Sequence, residues 1–130
     1  VTIAAATFEL AAILHLGVPI PLGIVALREP RIVPATVVEG LAGLGLAAGS
    51  YAIVTNRPWA RPATAGALGF AMAGVLVGVG ALAAGRGPST GLNFVYHRVM
   101  LAALAVGLVL LFAPLGGRRA DWARKQGDAR

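Results

Sequence analysis

Charges divide the chain into four long apolar runs. Residues 10–27 are uncharged between Glu9 and Arg28, 40–56 between Glu39 and Arg57, 62–85 between Arg61 and Arg86, and 99–117 between Arg98 and Arg118. A bilayer-spanning helix needs about 20 predominantly apolar residues. Allowing each run a polar residue near one end predicts helices over 3–27, 35–55, 63–84 and 91–114. The expected fold class is an all-α integral membrane protein, a four-transmembrane-helix bundle with short loops. Its transmembrane domain is expected over 1–117, followed by a basic tail over 118–130.

The connectors combine charge with helix-breaking residues. Arg28-Glu29-Pro30-Arg31 and the stretch from Asn56 to Pro62 carry proline, and Gly85-Arg86-Gly87-Pro88 adds glycine; these residues end helices. Pro34 and Pro62 sit where an N1 proline opens helices 2 and 3. The first run is not followed by a small-residue cleavage site and has no basic segment before it, so it reads as a mature helix and not as a signal peptide. Four spans put both termini on one side. Arg118, Arg119, Arg124, Lys125 and Arg130 follow the last run, and the positive-inside rule assigns them, with the connector holding Arg57 and Arg61, to the cytoplasm.

Small residues predict how the helices pack. Gly45 and Gly49 on helix 2 and Gly74 and Gly78 on helix 3 are each four apart, the spacing that lets backbones approach where lipid supplies no hydrophobic drive. The same motifs suit another subunit or a second copy of the chain.

Composition narrows the class further. Of 130 residues, 58% are hydrophobic and only 12% charged, with a mean hydropathy of +0.80; a soluble domain carries about twice that charged fraction. The net charge of +6 does not indicate nucleic acid, because the basic residues flank the apolar runs instead of forming one face. The absence of cysteine excludes disulfides and thiolate chemistry. Ten of the eleven basic residues are Arg and Ala and Gly abound, which suggests a GC-rich bacterial genome and hence an inner membrane.

Ionisable groups inside spans cost about 3 kcal/mol or more and need an account. Glu39 and Arg98 fall in the outer third of helices 2 and 4, where they are expected to form an intramembrane ion pair. Glu9 lies toward the cytoplasmic third of helix 1, level with Ser50 and Tyr51, and is expected to hydrogen-bond their hydroxyls or, alternatively, to exchange protons for a substrate. His15 and His97, on separate helices, are the two imidazoles a haem b would need as axial ligands. Their depths disagree: His15 is roughly 18 Å from the outer end of helix 1, and His97 roughly 9 Å into helix 4. With Tyr51 and Tyr96 these residues form the candidate proton or ligand site. Pro19 and Pro21 free backbone groups in the outer half of helix 1, which places the expected pocket, for a lipid tail or a quinone ring, near His15 and Pro19.

Four short spans with a carboxylate, Glu9, in the first resemble the small multidrug resistance transporters. That family's aromatic-rich substrate face is missing: helices 1 to 3 hold only Phe8, Tyr51 and Phe70. The resemblance implies proton-coupled transport, with Glu9 as its residue, and the missing face speaks against membership. No catalytic motif is present. The expected role is a non-catalytic accessory subunit of a respiratory or transport complex, partnered by lipid and other membrane subunits, without metal or cofactor. Haem or quinone binding through His15 and His97 is the second expectation and transport through Glu9 the third.

Overall fold

The computed structural model describes residues 1–87 and 90–113; the tail over 118–130 lies outside them. Among the described residues the chain forms α1 (Thr2–His15), a hairpin of β1 (Ile20–Leu22) and β2 (Val25–Leu27), α2 (Val33–Val54), α3 (Ala60–Ala83) and α4 (Gly91–Phe112). Three of these helices, α2, α3 and α4, are long and apolar enough to cross a membrane. The fourth is not.

The helix expected over 3–27 stops at His15. Its 14 residues rise roughly 21 Å, against a hydrocarbon core of about 30 Å. The cause is local. Gly17 takes a φ of +85°, a conformation open to glycine and costly for other residues, and the prolines at 19 and 21 cannot continue a helical ladder. The chain turns instead into the hairpin, pairing Ile20 with Leu27, Pro21 with Ala26 and Leu22 with Val25. Gly23, first central residue of the two-residue turn, has a φ of +67°, as a type II′ turn requires. The remaining starts shift by a few residues: α2 opens at Val33 and α3 at Ala60, so Pro34 and Pro62 both fall in first turns, where the missing N–H has no intrahelical partner to lose.

The helices pack in chain order, α1 along α2, α2 along α3 and α3 along α4, while α1 and α4 barely meet. Glycines set the close approaches. Gly40 faces Ala12, and Gly43 faces the Glu9 carboxyl, so α1 runs antiparallel to α2. Between α2 and α3, Gly45 meets Ala67, Gly49 meets Thr64, with a built Cβ only 3.2 Å from its Cα, and Gly74 meets Val38. Between α3 and α4, Gly78 meets His97 and Gly107 meets Leu68. The buried core runs through the same faces, with Phe8, Leu46, Leu68, Val75, Met100 and Leu104 at its centre.

At the hairpin end the connector is tied down. The Ile32 amide donates to the carbonyl of His15 at 2.9 Å. Thr90 caps α4 by accepting the Asn93 amide at 3.0 Å, and its hydroxyl lies 2.7 and 2.9 Å from the two carboxylate oxygens of Glu29. This anchors the segment between hairpin and α2 to the start of α4.

Candidate functional site: a cavity walled by His15, Glu39 and His97

Because α1 ends at His15, that residue stands at the hairpin end of the bundle, beside the first turns of α2. The depth mismatch expected between His15 and His97 came from extending α1 through its prolines, and it disappears: both histidines line one cavity of about 520 Å³. All four helices contribute to it. Phe8, His15, Glu39, Val75, Asn93 and His97 form a buried inner wall. The rim includes Pro34, Val77 and Arg86, all exposed. Pro19, expected beside this pocket, is not among its lining residues. A smaller cavity of about 110 Å³ lies in the gap between α1 and α4, and His15 and Asn93 line it too.

Glu39 pairs with His15, not with Arg98. His15 Nδ1 and Glu39 Oε2 are 2.6 Å apart, and the two residues are only 3% and 6% exposed. Arg98 is turned away. Successive helical residues diverge by about 100°, so with His97 facing inward its neighbour faces out. The Arg98 guanidinium lies 3.3 Å from the centroid of the Phe94 ring, a cation–π contact on the same helix, and donates to the Phe94 carbonyl at 3.4 Å. Arg98 is the eighth residue of α4, near enough to the helix start for its long side chain to carry the charge to the membrane interface.

Glu9 does not reach the hydroxyls expected for it. Its carboxyl sits against Gly43, about two turns of α2 away from Ser50 and Tyr51, and Oε1 is buried without a partner. Ser50 donates instead to the Leu46 carbonyl at 2.9 Å, and the exposed Tyr51 hydroxyl accepts from Arg57 at 3.3 Å. Glu9 and Tyr51 are thus outside the cavity.

The polar atoms of the inner wall are arranged unequally. His97 Nδ1–H donates to the Asn93 carbonyl at 2.8 Å, which leaves Nε2 as the ring's acceptor in the neutral form; it abuts Gly78, where an added Cβ would collide with it. Among the described residues, His15 Nε2, Asn93 Oδ1 and the Tyr96 hydroxyl are buried and have no partner. Tyr96 packs edge-on to Phe8 at 6.2 Å and to His97 at 5.2 Å. Native structures leave few buried polar atoms unpaired, so two on facing residues, His15 and Asn93, mark this wall. Sequence reading found the histidines and Glu39 through the cost of ionisable groups in a span. It did not find Arg86 as a rim residue or Glu29 as the partner of Thr90, since both look like ordinary connector charges.

No family model matches the chain, and neither a curated protein nor a solved structure is significantly similar to it.

Proposed function

We propose that this small multi-pass membrane protein binds an apolar small molecule in the cavity between its helices, with the His15–Glu39 pair meeting the ligand's polar end. One observation carries the reading: a cavity of ligand size, apolar along most of its wall, ends on buried polar atoms that the fold itself leaves unpaired. Its exposed rim includes Val77 of the membrane-length helix α3, which offers an apolar molecule a way in. The test is extraction of the protein purified in mild detergent from native membranes, followed by mass spectrometry and a visible absorption spectrum. A stoichiometric apolar compound is expected, and it should be lost from Ala35→Phe, which fills the cavity from a half-buried position on α2. A Soret band would instead name the ligand as haem held by His15 and His97. Equal recovery of the compound from wild type and Ala35→Phe would overturn the reading.

Association with a larger complex as an accessory subunit has its own supporting observation. Among the described residues, nothing lies within 4 Å of a Cβ added at Gly66, Gly69 or Gly80 of α3. Small residues on such a face let a further helix approach closely. Gentle extraction at native expression is expected to recover a companion protein, and recovery of the 13.1 kDa chain alone would remove this reading.

A further inference from the structure

We propose that the ligand's polar end is a hydrogen-bond acceptor, a ring or ester carbonyl, received by His15 Nε2–H. This inference rests on the cavity reading and adds the chemistry of the head group.

The argument is a proton count. The His15–Glu39 pair is buried, and a low-dielectric site disfavours a net charge. Two net-neutral arrangements place a shared proton between Nδ1 and Oε2, which are 2.6 Å apart. In one, an imidazolium donates from Nδ1 to the Glu39 carboxylate, and Nε2 carries the ring's second proton. In the other, a protonated Glu39 donates to Nδ1, and the neutral ring holds its single proton on Nε2. The proton between the two residues changes place, but Nε2 is a donor in both. Nε2 is bare only where Nδ1–H donates to Oε2 of a carboxylate at net charge −1, or of an acid protonated on Oε1; the latter is a neutral hydrogen bond of about 2.9 Å, longer than the 2.6 Å found.

That donor is buried and unpaired, and it belongs to a ring lining the cavity. Glu39 meets Nδ1 through Oε2, and no other described side chain accepts from Nε2. His97 holds the opposite arrangement, since its Nδ1 faces a carbonyl that can only accept. Of the two imidazoles on the wall, His15 therefore presents the donor, beside the Asn93 carboxamide. An apolar molecule with a carbonyl satisfies it; a hydrocarbon does not. An isoprenoid quinone and an ester-linked lipid both carry such a carbonyl, and the aromatic rings of Phe8 and Phe70 on the cavity wall suit either a flat ring or a chain.

The chain has two histidines, so protein labelled with ¹⁵N-histidine and held in lipid nanodiscs gives two resolvable imidazoles. Without added ligand, His15 is expected to carry a proton on Nε2 and His97 on Nδ1; a bare His15 Nε2 would overturn the proposal with no variant needed. Titration with a decyl-substituted benzoquinone is expected to shift the His15 Nε2–H signal saturably, at least tenfold more tightly than decylbenzene. His15→Phe should abolish the difference between the two, and His15→Gln, which restores a donor, should recover part of it. A decanoate ester that competes equally with the quinone supports the acceptor chemistry and points to lipid as its source. Equal binding of quinone and decylbenzene to wild type would sink the acceptor rule while leaving the cavity reading intact. Binding of none of the three probes would remove both.

Discussion

At the scale of single residues, the energetics of the site turn on which charge Glu39 meets. Removing one partner of a buried, hydrogen-bonded pair leaves the other uncompensated, at a cost of about 3–5 kcal/mol, whereas replacing both with apolar groups is often close to neutral. Glu39→Leu and His15→Leu are each expected to lower stability by that order, and the double variant to recover most of the loss. Arg98→Leu, by contrast, removes a charge with one ring beneath it and no carboxylate partner among the described residues, and should lower stability by no more than about 1 kcal/mol. Unfolding of the detergent-solubilised protein by a graded denaturant reads all four. A large penalty at Arg98, or a double variant no better than the worse single one, would contradict the pairing.

Individual elements explain what was legible beforehand. The long apolar runs between charges give α2, α3 and α4 to within a few residues, because span length and charge exclusion are properties of the sequence alone. Glu39 and the two histidines could be singled out for the same reason. The partner of Glu39 could not. Extending the first helix to residue 27 carries His15 into mid-span and leaves Arg98 as the nearest countercharge; the apolar pattern alone runs through the two prolines that, with Gly17, end the helix. Proline in a helix interior costs about 3 kcal/mol, and two of them beyond a positive-φ glycine outweigh the hydropathy that favours a longer span. Replacing Gly17, Pro19 and Pro21 together with Ala, Leu and Leu removes that barrier. α1 is then expected to extend past residue 20, dissolving the hairpin and withdrawing Ile24, whose side chain is fully exposed, into the bilayer. A cysteine at Ile24 should react with a water-soluble maleimide in the otherwise native chain and be protected in the triple variant. Unchanged reactivity would mean that something other than these three residues ends α1.

For the whole molecule, three long helices and one short one leave the crossing pattern to be decided by where the connectors lie. α2, α3 and α4 run in alternating directions, and α1 lies against α2 without the length to span alone. The hairpin and the α3–α4 connector share one end of the bundle, joined through Glu29 and Thr90. The α2–α3 connector is at the other end, where Arg57 stacks on Tyr51 at 5.9 Å and Arg61 on Phe112 at 5.2 Å. Both arginines are thereby held at the aromatic edge of the helices, where a cationic connector is favoured on the cytoplasmic face. The native chain lacks cysteine, so single substitutions report without background. Ile24→Cys and Ala84→Cys are expected to label from outside intact cells, and Thr55→Cys only after the membrane is permeabilised. The mirror-image pattern would reverse the orientation and keep the bundle. Labelling of Thr55 and Ala84 from the same side would mean that α3 does not cross, and the cavity, whose lining follows the hairpin-end half of that helix, would then have no route from the bilayer for an apolar ligand.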